Sequence, residues 1–400
     1  MQAYKLVKAN AGAAGVDKQS LEDFEINLKD NLFKIWNRMS SGSYFPPPVK
    51  GVPIPKKSGG MRLLGVPTVC DRIAQMVVKL IFEPQVEPYF LTDSYGYRPN
   101  KSALDAVGIT RQRCWKYNWV IEFDIKGLFD NIPRDLLMIA VRKHTKCKWA
   151  LLYIERWLKV PMQISDGEMI IRQSGTPQGS VISPVLSNLF MHYVFDLWLQ
   201  KHYPSLLWCR YADDGLVHCR TKKEAREILA ILDRRFQECG LQLHPDKTRI
   251  VYCKDGNRKS KYKNTTFEFL GFAFRPRLVK ANKGYLFVSF TPSVSERSLK
   301  SMRDKIKWIG KRRNVTLSLN DIAKNVNPVI RGWINYYGKY RRSGLYPIWR
   351  DVNKALVKWA MRKFKKLNSK TKAARFIKLI AIKTPDLLAH WKEGMQGAFA

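Results

Sequence analysis

Acidic residues are scarce in this 400-residue sequence: 33 Asp and Glu stand against 71 Lys and Arg, a net charge of +38. Such an excess repels itself unless a polyanion meets it, and RNA or DNA is the commonest one. An anionic membrane surface is the rival, but the chain lacks a lipidation motif and any apolar run of spanning length. The first residues, Met1-Gln2-Ala3-Tyr4-Lys5, lead into no signal-peptide core. Seven cysteines lie scattered at 70, 114, 147, 209, 219, 239 and 253 with no Cys-x-x-Cys pair. Neither a zinc module nor a disulfide framework is indicated, and a reducing, cytoplasmic setting fits best. Internal repeats and low-complexity tracts are absent too. What remains is 45% apolar and 12% aromatic, too rich for a mainly disordered chain and long enough for two or three domains.

Residues 1–40 read as mostly helical, interrupted at Asn10-Ala11-Gly12-Ala13-Ala14-Gly15. Pro46-Pro47-Pro48 leads into a predicted hairpin, 52–56 against 61–64, turned by Ser58-Gly59-Gly60. Over 71–83 the period is helical, with Ile73, Met76, Val77, Leu80 and Ile81 on one face. Val185–Leu199 reads as another helix. Strand, helix and turn signals mix up to Phe274, and the character changes after Arg275-Pro276-Arg277. From 291 to 400 there are 26 Lys and Arg against 6 Asp and Glu, a net of +20 out of +38. Ile322, Val326, Val329 and Trp333, then Leu356, Trp359 and Phe364, recur at helical spacing. The expected class is therefore α/β (α+β), followed by a basic helical domain.

Tyr211-Ala212-Asp213-Asp214 lies between two short apolar runs and reads as the tip of a β-hairpin. Adjacent carboxylates on a tight turn repel each other, and a divalent cation is the usual remedy. Asp124 ends another strand-like run, Trp119 to Ile125. Three such acids can hold two Mg²⁺ ions about 4 Å apart, the arrangement of in-line phosphoryl transfer. A solvated turn is the bland alternative, since Asp favours turns anyway. Gln178-Gly179-Ser180 offers close backbone approach and an amide for a base or sugar. Lys56 and Arg62 flank the hairpin turn, where two cations could fold over a triphosphate or simply be solvated.

Several blocks occur together in one order. They are Ile54-Pro55-Lys56 through Arg62-Leu63-Leu64-Gly65-Val66-Pro67-Thr68, Ser94-Tyr95-Gly96-Tyr97-Arg98-Pro99, Phe123-Asp124-Ile125-Lys126, Ser174 through Pro184, Tyr211-Ala212-Asp213-Asp214 and Phe269-Leu270-Gly271-Phe272. This order resembles that of bacterial group II intron reverse transcriptase/maturases, over nearly the whole chain from about Asn10 to Trp391. Arg331-Gly332-Trp333-Ile334-Asn335-Tyr336-Tyr337 resembles that family's maturase-domain signature.

The resemblance implies a right-hand polymerase: a partial N-terminal extension (1–40), fingers and palm (41–274) and a thumb/maturase (X) domain (275–400). Asp124 and Asp213 would be metal ligands with the carbonyl of Ile125, and Asp214 the accompanying acid. The ions would be two Mg²⁺, with Mn²⁺ as a substitute. Lys56, Arg62, Gln178 and Lys247 would surround the incoming dNTP, and Phe129 would be the ring that rejects a ribose 2′-hydroxyl. Arg331, Tyr336, Tyr337, Arg341 and Arg342 would contact RNA. The implied partners are group II intron RNA, an RNA template with a DNA primer, dNTPs and a DNA target site. No membrane is implied, the location is cytoplasmic or at the nucleoid, and the oligomeric state stays open, a homodimer being one option.

Departures from the family pattern are a short N-terminus, Lys18 where a glycine is common, and no His/Asn/Cys-rich endonuclease-like module. DNA target cleavage is accordingly not expected. Competing readings are a domesticated relative in phage defence or CRISPR adaptation, and a non-catalytic RNA-binding splicing factor with a dead palm. A viral-type RNA-copying polymerase fits least, given Phe129.

Overall fold

The computed structural model describes residues 1–55, 59–164, 167–281, 283–311, 314–396 and 399. Lys56 and Ser58 lie outside the described residues. The chain forms two compact units, 1–106 with 119–250, and 107–118 with 251–400.

In the first unit, strand Asp214–Cys219 lies antiparallel between Leu207–Tyr211 and Trp119–Asp124. Val120, Ile121, Phe123, Leu216, Val217 and Cys219 are all buried, the continuous burial of strands covered on both faces. Helix Lys222–Glu238 starts at a capping box between Thr221 and Glu224 and buries Ala225, Ile228, Leu232 and Phe236. Its Phe236 ring lies 5.6 Å from Phe123.

A second sheet begins with the expected hairpin, Val49–Pro55 against Met61–Val66, continued by Met162–Gln163 and Met169–Ile170. Helices Gln2–Asn10, Leu21–Ile26 and Leu28–Ser40 fill the N-terminal region. The predicted helix at 71–83 spans Val69–Val86, but its buried face differs from the expected one. Ile73 and Met76 are buried; Ile81 is 43% exposed, while Val78 and Phe82 point inward. Asp71, Arg72, Ala74 and Gln75 are buried as well. The first half of the helix is enclosed on more than one side, so a one-stripe reading selects the wrong residues. The helix expected over 185–199 runs from Ser183 through a π-turn at His192–Asp196 to His202.

The second unit pairs Phe267–Phe269, Phe272–Lys280 and Leu286–Val294 in one antiparallel sheet. The change of composition at 274/275 thus falls inside a strand. Helices Glu296–Ile306, Leu319–Arg341, Tyr346–Lys363 and Lys370–Lys383 follow. Their core gathers Ile322, Val326, Ile330, Trp333, Trp349, Leu356 and Trp359. Val329, expected in this stripe, is exposed, and Ile330 takes its place. Asn353 is fully buried; its carbonyl accepts from Trp391 Nε1 at 3.0 Å and its amide donates to the Met395 carbonyl at 3.1 Å. Among the described residues no helix is long and apolar enough to cross a membrane.

Candidate active site

Asp124 ends one strand and Asp214 opens its neighbour, and the two are direct cross-strand partners. Asp213 occupies the turn between Tyr211 and Asp214. Ala212 in that turn has φ 57°, a left-handed conformation that costs a non-glycine residue about 1–2 kcal/mol. Arg210 holds it there. Its fully buried guanidinium donates to both carboxylate oxygens of Asp196 at 2.7 and 2.6 Å, to Ser94 Oγ at 2.8 Å and to the Ala212 carbonyl at 3.1 Å. From behind, Gly96 packs so closely that a Cβ would lie 2.5 Å from the Ala212 nitrogen. The Gly96 carbonyl in turn accepts from Asn188 Nδ2 at 2.7 Å.

Burial and the Asp124 charge push the Asp213 carboxyl above its ordinary range. Burial, then the charges of Asp213 and Asp124, push Asp214 up to about 8. Lys247 Nζ sits 2.8 Å from Asp124 Oδ2, supplying one positive charge to a three-carboxylate cluster. The Asp124 carbonyl accepts from the His244 amide at 2.8 Å, and the Lys126 amide donates to the Gln242 carbonyl at 2.9 Å. These bonds form the bridge between Ile125 and Leu243 and do not use the Ile125 carbonyl. All candidate ligands are hard oxygens, the donor set of Mg²⁺. Among the described residues no three His, Cys, Asp or Glu side chains form a ready metal cage. That is compatible with Mg²⁺, which takes one or two carboxylates and completes its shell with water and substrate phosphates.

Around the acids stand aromatic groups. Tyr97 lies 6.4 Å from Phe129 and 6.3 Å from Tyr211 between ring centroids. Burial and the Asp213 charge raise the Tyr97 hydroxyl, while Arg62, exposed on its strand, lowers it from within electrostatic reach. Gln178 ties the hairpin to helix Leu128–Asn131: its carbonyl accepts from the Gly65 amide at 2.7 Å, and its Nε2 lies 3.4 Å from Asp130 Oδ2. Gln75, on helix Val69–Val86, accepts from Ser180 Oγ at 2.5 Å and the Val181 amide at 2.7 Å. Its own amide donates to Asp71 at 2.9 Å. Asp71, deeply buried and pushed up to about 6 by that burial, also accepts from Trp157 Nε1 and the Tyr44 hydroxyl.

Sequence reading missed Arg210, Asp196, Gln75 and Asp71. The available signal was a charged or amide side chain inside an apolar strand or helix, which requires a buried partner.

The expected RNA contacts all lie in the second unit. Arg331 is exposed. Arg341 Nε donates to Ser343 Oγ at 3.2 Å, and Arg342 meets Glu393 at 3.0 Å while staying largely exposed. Tyr336 and Tyr337 are engaged inside the unit: both rings pack on Phe272, and their hydroxyls donate to the Leu270 carbonyl and Ser298 Oγ.

Residues 54–274 match the family model described as reverse transcriptase (RNA-dependent DNA polymerase), and residues 299–377 match the group II intron maturase-specific domain. The chain belongs to the group II intron reverse transcriptase/maturase family. It is an RNA-directed DNA polymerase with a right-hand fold of fingers and palm and a helical C-terminal region. Among this reverse transcriptase's relatives is protein YkfC of Escherichia coli (strain K12). It is 29% identical over 355 residues, 77% of this chain and 88% of that protein. Group II intron-encoded protein LtrA of Lactococcus lactis subsp. cremoris is 33% identical over 201 residues, half of this chain and 33% of that protein. An uncharacterized 91 kDa protein in the cob intron of Schizosaccharomyces pombe is 25% identical over 418 residues, covering 86% of this chain and 50% of that protein. The reverse transcriptase thus spans most of YkfC and half or less of the other two.

Proposed function

We propose that this chain extends a DNA primer on an RNA template in the cytoplasm, using Asp124, Asp213 and the Ile125 carbonyl to hold two Mg²⁺ ions, with Mn²⁺ able to replace them. The observation that carries this reading is the cross-strand pair of buried Asp124 and half-buried Asp214, with half-buried Asp213 beside it, the three mutually repelling. When bound, the ions would polarise the primer hydroxyl and neutralise the triphosphate charge. The chain's own residues do the rest. Arg210 fixes the turn so that Asp213 and Asp214 keep their positions. Lys247 holds the Asp124 carboxylate and adds a cation where phosphate charge develops. Arg62, with Lys56 expected on the same hairpin, contacts the incoming dNTP, and Gln178 lines its sugar and base side. Phe129, on the Tyr97 ring, excludes a 2′-hydroxyl.

The second unit, as thumb and maturase domain, would bind group II intron RNA through exposed Arg331 and Arg342, with Arg341 beside them. Preferential binding of the ribozyme's folded form would assist splicing without chemistry by the protein. A DNA target site would be engaged during intron mobility. The test is primer extension on an RNA template with Mg²⁺, Mn²⁺ or EDTA, supplied with dNTPs or rNTPs. DNA synthesis that needs the metal and rejects rNTPs is expected. Metal-independent synthesis, or equal use of both nucleotides, would sink the reading.

A further inference from the structure

Two guanidinium groups in the first unit lie within electrostatic reach of each other, and neither is held by a carboxylate among the described residues. Arg134 opens helix Arg134–His144, and Arg172 follows strand Met169–Ile170 by two residues. Arg134 Nη2 donates to the Arg172 carbonyl, and Arg172 Nη2 donates to the Val160 carbonyl at 3.3 Å. Arg134 Nε, Arg172 Nε and Arg172 Nη1 are buried with no hydrogen-bond partner. Among the described residues neither arginine has an ion-pair partner. Burial and the charge of Arg134 lower Arg172 to about 10, and the acid whose charge reaches it is Asp130.

Folding two fixed cations against each other, with donors pointing at no acceptor, is unfavourable unless an anion completes the arrangement. Arginine stays charged, and its planar fork matches phosphate oxygens. The place is specific. Ser174 Oγ donates to the Asp130 carbonyl at 2.8 Å, the Gly175 amide to the Ile132 carbonyl at 2.8 Å, and the Thr176 amide to the Phe129 carbonyl at 2.7 Å. Gly175 has φ 78°, and a Cβ there would lie 2.3 Å from the Phe129 carbonyl oxygen. The segment after Arg172 is therefore fastened directly to the backbone that carries Phe129 and leads into Arg134.

We propose that Arg134 and Arg172 form a phosphate-binding site beside the Gln178 loop. Its ligand is a phosphate group, from the incoming nucleoside triphosphate or from the polynucleotide backbone. That choice of sources rests on the polymerase reading; the site itself rests on the unpartnered donors.

The test uses the full chain with Arg134→Gln and Arg172→Gln, made singly, and Arg172→Lys, which keeps the charge but loses the fork. Three readouts are taken: calorimetric binding of inorganic tripolyphosphate, the KM for dNTP in primer extension, and the Kd of an RNA template–DNA primer duplex across a salt series. Each Gln variant should keep the wild-type Tm or exceed it, because a repulsion is removed, and should weaken tripolyphosphate binding about tenfold. A higher KM with unchanged duplex affinity assigns the triphosphate as source. Weaker duplex binding, with the salt slope shallower by about one, assigns the backbone. Unchanged affinities in both Gln variants overturn the site. So does a fall in Tm with every readout declining in parallel in all three variants, which marks a structural pair. Wild-type protein that extends primers while both Gln variants match it defeats this inference alone. Arginine-dependent tripolyphosphate binding in a wild type that extends nothing defeats the polymerase reading alone.

Discussion

At the scale of single residues, Asp214 dominates the electrostatics. Its carboxyl titrates near 3.8 when unperturbed and at about 8 in the fold, so between those values the folded chain holds a proton that the unfolded chain has released. Stability from this group is present below about 4 and is lost as pH rises towards about 8. In EDTA the Tm should therefore fall with pH across that window, and Asp214→Asn should flatten the decline. Mg²⁺ should stabilise most at the upper end, where it no longer competes with the proton. Thermal unfolding at pH 5, 6.5 and 8 with EDTA or Mg²⁺ checks this; a Tm that rises with pH in EDTA would contradict it. Phe129→Ala should relax discrimination against rNTPs by about 10- to 100-fold, read as the ratio of kcat/KM for dNTP and rNTP. The acids were legible in the sequence because the turn motif and its flanking apolar runs are local. Arg210, Asp196 and Ser94 were not, because only the fold brings positions so far apart in sequence into one buried ion-pair network.

At the scale of elements, the hairpin tip depends on supports that lie outside it. The π-turn at His192–Asp196 ends on the aspartate that Arg210 grips, and both side chains are completely buried. Breaking a buried pair from one side leaves an uncompensated charge, costing about 3–5 kcal/mol. Asp196→Asn or Arg210→Met should each lower stability by that order in denaturant unfolding. The double change should cost less than the sum, because it leaves no orphan charge. Additive losses would mean that the two residues act independently. The hairpin at Val49–Val66 and the helix over 69–86 were legible in the sequence, yet the buried face of that helix was not. Periodicity identifies a stripe against one neighbour. Here Asp71 and Gln75 face further neighbours, binding Trp157, Tyr44 and the Gln178 loop. In the same way Val329 and Ile330 exchange roles, since a stripe of this spacing fits either residue until its packing partners are known.

At the scale of the whole molecule, charge is distributed unevenly: residues 291–400 carry +20 of the +38. A surface that neutralises six to ten phosphates should lose roughly 10³–10⁵ in RNA affinity between 50 and 200 mM salt. Arg331→Ala and Arg342→Ala should each make that slope shallower by about one phosphate's share. A salt-insensitive Kd would show that this charge serves something other than RNA. Composition located the basic helical region but not its edge. The sheet that runs from Phe267 to Val294 belongs with the helices, and its strands resemble those before it more than the helices after it.

The most direct test of the central claim is to measure single-nucleotide incorporation and RNA affinity together, in wild type and in Asp213→Asn. Loss of incorporation by about three orders of magnitude or more, with RNA affinity unchanged or modestly raised, is the predicted result. Incorporation that survives the substitution would contradict the account, because Asp213 would then not be a ligand of the catalytic ions.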